Sequence, residues 1–163
     1  NFWCIKYRIK LLNFVKYAII HFRLFKNNLN GGEVMNIQEF YDSIDESYEN
    51  VSSRMMGNQK LVEKFVRKFL DDPTYEQIKE AVDKMDYDEI LRTTHTMKGI
   101  ASNLEFTHLQ QKSAKAVDMI RAGQREEVLP VIGEIEKEYQ KVIEQIQKLD
   151  YKKTKMRESF EVV

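Results

Sequence analysis

The sequence predicts an all-α protein, an antiparallel four-helix bundle preceded by a short N-terminal helix. Only six glycines and two prolines occur among 163 residues, so little interrupts helical segments. Between residues 61 and 149, apolar residues recur every three or four positions, which is the spacing of amphipathic helices. Short connections between such helices are typical of antiparallel neighbours, and the chain is long enough to bury a core without disulfides.

Charge is unevenly distributed along the chain. Residues 1–34 carry six Lys/Arg side chains and one acidic residue, for +5, and the remainder carries 20 basic and 25 acidic side chains, for −5. We divide the chain into a basic, aromatic-rich leader (1–34), the bundle (35–150) and a charged C-terminal tail (151–163). The acidic body argues against nucleic-acid binding, which needs a basic face. A single cysteine, Cys4, excludes an intramolecular disulfide and fits a reducing cytoplasm.

The leader has three interpretations. Its longest apolar runs, such as residues 18–20, fall far short of the roughly 18 residues that a spanning helix needs, so we expect no stable membrane insertion. A basic, aromatic-rich amphipathic segment can still lie on an anionic membrane surface. We favour a mistranslated upstream sequence, with the native protein starting at Met35. The first 30 residues include 19 with A/U-rich codons, and residues 31–33 can be encoded by a ribosome-binding sequence.

The first predicted element is a short helix. Asn36 with Glu39 three residues later is a capping-box pattern that opens a helix through Ile44. Helical spacing continues over residues 48–55 until Gly-Asn at residues 57–58 interrupts it. This segment therefore leads into the bundle.

The next helix and the last helix of the bundle are predicted from apolar stripes. Residues 61–70 form a strong stripe with charged residues on the opposite side. Residues 128–149 form another, with Pro130 in the first turn or kinking the helix. Between them, Asp72 is predicted to cap a helix that has Pro73 at its first position. The residues of that helix predicted to be buried are Ile78, Ala81, Val82 and Met85.

The two central helices begin with predicted capping boxes. Asp86 with Glu89 opens the first of them, and Thr107 with Gln110 opens the second, which stops at Gly123. Methionine fills irregular gaps in cores, so we expect several methionines inside the bundle. They are Met55, Met56, Met85 and Met97.

The stretch HTMKG, residues 95–99, places a glycine one turn after a histidine in the first central helix. Glycine in a helix interior costs about 1 kcal/mol relative to alanine, so Gly99 needs a reason. On a helical wheel, His95 lies about 140° from the centre of an apolar arc that runs from Ile90 to Leu104, and it therefore faces solvent. The residues that share its strip of surface are Asp88, Arg92, Lys98, Gly99 and Ser102.

This arrangement suits phosphoryl chemistry. A side chain at position 99 would lie over the preceding turn and shade His95, so Gly99 leaves the imidazole open to a large partner. The stem of Lys98 carries its ammonium back toward the ring. A neutral ring nitrogen can attack phosphorus, and the lysine can offset charge on the oxygens. The alternative, a surface histidine and a glycine that only permits close helix packing, stays open at this point.

Metal and nucleotide chemistry are not indicated. His95 and His108 stand 13 positions apart, without the i, i+3 or i, i+4 spacing that lets one helix chelate a metal. The sequence contains no HExxH, no P-loop and no GxGxxG motif.

The segment HTMKGIASNLEFTHLQQKSAKAVD resembles the signature of the histidine-containing phosphotransfer (HPt) domain of bacterial phosphorelays. The resemblance extends over the helices from Asn36 to Leu149 and implies the four-helix bundle of that family. It implies that His95 is the phosphoacceptor, Lys98 the lysine near the phosphoryl group, and Gly99 the glycine that makes room for the receiver. Two residues depart from the family pattern. Met97 replaces the usual leucine, and Glu105 stands where the family commonly has glycine, so the turn there needs another geometry or carries strain.

The resemblance implies a stand-alone phosphorelay intermediate, expected to be a monomer. His95 would take a phosphoryl group, through Nε2, from an aspartate of one receiver domain and pass it to another. Expected partners are response-regulator receiver domains and a hybrid histidine kinase. Mg²⁺ would come from the receiver, so we expect no cofactor in this chain and no ATP hydrolysis. The docking face is expected to join the His95 strip to Gln111, Lys112 and Lys115 on the following helix.

Two other functions stay open. One is a helical module that binds receivers, or other proteins, without carrying phosphate. The other is a detached phosphoacceptor domain of a chemotaxis-type kinase, which has the same fold. That kinase would need a nucleotide-binding domain elsewhere.

Overall fold

The computed structural model describes the backbone of residues 35–160 and the side chains of residues 35–149. Every regular element in this part of the chain is helical, which confirms the predicted all-α class. The predicted leader, residues 1–34, lies outside the described residues. The helices are α1 (Ile37–Ser43), α2 (Tyr48–Arg54), α3 (Gln59–Lys68), α4 (Thr74–Asp83), α5 (Tyr87–Asn103), α6 (Thr107–Arg121) and α7 (Leu129–Phe160), with 3-10 turns at Phe69–Asp71 and Glu126–Val128.

Helix α5 lies at the centre of the bundle. It packs against α4 and α6, and α6 packs against α7. Helices α4 and α7 meet where the rings of Tyr75 and Tyr139 stack with centroids 4.1 Å apart. Each fully buried aliphatic side chain of this core contributes roughly 1.5–3 kcal/mol. The buried face of α5 is the apolar arc that the wheel predicts, with Ile90, Thr94, Met97, Ala101 and Leu104.

Several predicted helix ends are confirmed. At the start of α1, Asn36 Oδ1 accepts from the Glu39 N–H at 3.0 Å and the Asn36 N–H donates to Glu39 Oε2 at 2.6 Å, which completes the capping box. Asp86 caps α5 by accepting from the Glu89 N–H at 3.0 Å, but the predicted box is incomplete, because the Asp86 N–H donates to the Ala81 carbonyl. Gly123 ends α6 in the left-handed region, with φ of 81°. Pro130 lies in the first turn of α7.

Two predicted caps were wrong in detail. Helix α4 begins at Thr74, one residue later than predicted, although Asp72 Oδ1 still accepts from the Thr74 N–H at 2.9 Å. Thr107 does not cap α6 but is its first residue, and the cap position belongs to Phe106, whose ring is buried in the core. The capping carboxylate comes from a distant segment, because Glu46 Oε1 accepts from the His108 N–H at 2.8 Å.

The methionine prediction holds for Met97, which is fully buried, and Met55 is half-buried. It was wrong for Met56 and Met85, whose side chains are 91% and 49% exposed. Both residues follow the end of a helix and have φ near +50°, which turns the side chain away from the apolar stripe. A helical wheel continued past the end of the helix therefore misplaced them.

The turn after α5 has the backbone geometry of a helix C-terminus that ends in glycine, although Glu105 occupies the glycine position. The Phe106 N–H donates to the Ala101 carbonyl at 2.9 Å and the Glu105 N–H to the Ser102 carbonyl at 3.4 Å. Glu105 adopts φ of 54°, in the left-handed region that a side chain with a Cβ disfavours. Of the two expected consequences, the turn therefore shows backbone strain and not an altered geometry.

Candidate phosphoacceptor site on the central helix

His95 lies in the middle of α5 with its side chain exposed to solvent. Lys98 follows three residues later and is half-buried. Within residues 35–149, neither side chain makes a hydrogen bond or an ion pair. Both groups are therefore free to bind an incoming anion.

Gly99 follows His95 by one turn and is also exposed. A Cβ built on Gly99 would meet no heavy atom within 4 Å. Helix packing within the described residues therefore does not explain the glycine, and the packing alternative that the sequence left open is excluded for this part of the chain. The glycine leaves the surface beside the imidazole clear.

Two contacts show which neighbours flank α5. The guanidinium of Arg125, just after α6, lies over the Tyr87 ring at 5.6 Å. On the other side, Glu89 shares a shallow surface groove with Glu80 of α4. His95 stands eight residues after Tyr87, about 80° further around the helix axis, on the side away from the core. Helices α4 and α6 therefore flank α5 on its two sides.

The exposed side of α6 carries a shallow, open groove. It is lined by Gln110, Gln111, Ala114, Lys115, Asp118 and Met119, among others. Gln111 and Lys115 were predicted at the docking face from the sequence. Gln110 and Ala114 line the same groove and are half-buried, so a search for exposed charged positions passes over them.

Lys112 pairs with a residue of α7. Its ammonium binds Glu134 of α7 at 2.7 Å, and this hydrogen bond raises the pKa of Lys112. The same contact lowers the pKa of the Glu134 carboxyl, to which the charge of Lys115 adds a smaller effect. The ammonium of Lys112 is therefore engaged by α7, and its place in the docking face stays a prediction.

Arg92 and Ser102 lie on the His95 strip, before and after the histidine. Arg92 is exposed and donates from Nε to Glu89 Oε2 at 2.8 Å. This hydrogen bond raises the pKa of Arg92 and lowers the pKa of Glu89. Ser102 is half-buried, and its carbonyl accepts from the Arg54 guanidinium at 3.1 Å. Both residues are thus already engaged within the chain.

The family model of the Hpt domain matches residues 60–147, which is more than half of the chain. The chain belongs to the Hpt domain family. Membership implies histidine phosphotransfer in phosphorelay signalling. Comparisons with curated proteins and with solved structures find no match. The matched part of this Hpt domain contains α5 and α6, and helices α1 and α2 precede it.

The described residues of this Hpt domain show neither a metal site nor a membrane span. Among them, no group of three or more His, Cys, Asp and Glu side chains is placed to hold a metal ion. No helix between residues 35 and 160 is long and apolar enough to cross a membrane.

Proposed function

We propose that this Hpt domain is a phosphorelay intermediate that carries a phosphoryl group on His95. The observation that supports it best is Gly99, which lies in open space one turn after an exposed and unpaired histidine. A neutral imidazole, through Nε2, attacks the phosphorus of an aspartyl phosphate on a receiver domain. The N–P bond forms as the P–O bond to the aspartate breaks, and the carboxylate leaves. Transfer to a second receiver runs the same step in reverse.

Lys98 assists this transfer electrostatically. Its unpaired ammonium offsets charge on the phosphoryl oxygens as the group arrives and leaves. Mg²⁺ and its carboxylate ligands come from the receiver, so this chain needs no cofactor of its own. The domain acts as a carrier in the cytoplasm, as a monomer, without kinase or ATPase activity.

Receiver domains dock on α5 and α6 together. The His95 strip supplies the chemistry, and the groove of α6 with Gln111 and Lys115 supplies contact area beside it. The donor is a receiver of a hybrid histidine kinase, and the acceptor is a response regulator. Nucleic acid is not a partner, and the chain makes no stable membrane insertion.

The direct test is labelling by receiver domains that have been phosphorylated with radiolabelled acetyl phosphate and Mg²⁺. We expect the wild-type protein to take label as acid-labile, alkali-stable phosphate, and His95→Gln to take none while keeping its helical circular dichroism. His108→Gln is the matched control, because His108 is an exposed histidine on the next helix, and it should label normally. Full labelling of His95→Gln would rule out the assignment. A wild-type protein that binds the receiver without label would favour the interaction module. Label from ATP only when a separate kinase catalytic domain is added, with none from phosphorylated receivers, would indicate the detached phosphoacceptor domain of a chemotaxis-type kinase.

A further inference from the structure

Helices α1 and α2 precede the part of the chain that matches the Hpt family, yet they hold the turn between α5 and α6. The Tyr41 hydroxyl of α1 donates to the Leu104 carbonyl at 2.8 Å, and this contact is buried. Glu46, between α1 and α2, accepts from the His108 N–H at the start of α6. Burial, and then the charges of Glu105 and Glu46, raise the pKa of Tyr41, so its hydroxyl stays protonated and donates.

Arg54, the last residue of α2, makes the third contact with this turn. Its Nε binds Glu105 Oε1 at 2.6 Å, and a terminal nitrogen of the same guanidinium donates to the Ser102 carbonyl at 3.1 Å. The Ser102 carbonyl is one of the last of α5, where the helix leaves its own acceptors without a full set of donors. One side chain thus joins the end of α5 to the turn residue that follows it.

Glu105 has a strained backbone conformation that such support would stabilise. It occupies the left-handed conformation with φ of 54°, and a glutamate lacks the short side chain that lets asparagine or aspartate adopt it more readily. Its side chain is only 15% exposed, whereas that of Arg54 is 53% exposed. The ion pair with Arg54 holds the Glu105 carboxylate in place and so supports the strained backbone.

This turn joins the two helices of the proposed docking face. Helix α5 carries His95 and helix α6 carries the groove, and the turn is the covalent link between them. We propose that Arg54 is a positioning residue for phosphotransfer, which holds the Glu105 turn and thereby the angle between phosphoacceptor helix and docking helix. The proposal rests on the function proposed above.

The test measures phosphotransfer from a labelled receiver to Arg54→Ala, below the temperature at which this variant unfolds. A disturbed docking face raises the KM for the receiver while leaving kcat unchanged, and we expect a rise of roughly threefold to tenfold, less than the ~100-fold that a 1 Å misplacement can cost. Adding Glu105→Gly should restore the KM, because glycine adopts the left-handed turn without support. Arg54→Lys should fall between wild type and Arg54→Ala, because lysine keeps the charge but lacks the planar fork.

Lys84→Ala is the matched control, since it removes a cation from an exposed ion pair at the C-terminal end of α4 and should leave KM unchanged. If Arg54→Ala lowers the melting temperature while its KM stays at the wild-type value, Arg54 is only structural and the proposal is overturned. Failure of Glu105→Gly to restore the KM of Arg54→Ala also overturns it. A wild-type protein that takes no label would instead overturn the proposed function, and this proposal with it.

Discussion

The two faces of helix α5 place opposite demands on their residues. On the inner face, Ile90, Met97 and Ala101 are fully buried, and each must fill space. On the outer face, His95 and Gly99 are exposed, and a Cβ added to the glycine would touch nothing. The inner face packs in the core and stabilises the fold. Within the described residues, the outer face makes no packing contact at Gly99, so its residues there are not needed for the fold. Stability and phosphotransfer should therefore respond to different substitutions on the same helix.

The largest expected effect on stability is at the inner face. Met97→Ala should lower the free energy of unfolding by about 2–5 kcal/mol, because it leaves a cavity in the core. The folded fraction should still accept phosphate on His95, since the substitution does not touch the outer face. Urea denaturation measures the first effect, and labelling per folded molecule measures the second. A variant that is fully stable but no longer labelled would contradict this division.

A substitution at the outer face should change the free energy of unfolding by less, and in the opposite direction. Gly99→Gln should raise the free energy of unfolding by up to about 1 kcal/mol, because glutamine is a better helix former. It should slow transfer, because its side chain covers His95. Gly133→Gln is the matched control, since Gly133 is a helical glycine of α7 around which a Cβ also meets nothing within 4 Å. It should gain stability without slower transfer, and unchanged transfer in Gly99→Gln would refute our explanation of that glycine.

The smallest change in stability is expected for Lys98→Ala, within about 0.5 kcal/mol, because the ammonium makes no hydrogen bond or ion pair within the described residues. Transfer should nevertheless be slower, since charge on the phosphoryl oxygens is no longer offset. Single-turnover transfer from a labelled receiver measures this rate. Lys64→Ala on α3 removes an exposed lysine elsewhere and should transfer at the wild-type rate. Equal rates for the two variants would remove Lys98 from the mechanism.

Some features that depend on residues a few positions apart were predicted correctly from the sequence. The capping box of Asn36 and Glu39 forms as predicted because both partners lie within one turn. The exposure of His95 follows from helical periodicity alone. The family resemblance found in the motif agrees with the matched Hpt domain. These features depend on spacing along one helix, which a sequence displays directly.

Contacts between distant segments could not be read in this way. Thr107 looks like a helix cap, but Glu46 supplies the capping carboxylate from 62 residues away. Lys112 has the spacing of a docking residue, but Glu134 of α7 binds it. In each case, the local sequence pattern predicts one interaction, and a side chain distant in sequence makes a different one.

The sequence by itself therefore determined the helical class, the periodicity of α5 and the position of His95 on its outer side. Only the tertiary structure decided that Gly99 has no packing role within the described residues, and that Arg54 supports Glu105 at the turn. The physical reason is that periodicity arises from the backbone geometry of one helix. The open space at Gly99 and the ion pair of Arg54 with Glu105 depend on which helices lie nearby, and that is determined by tertiary packing.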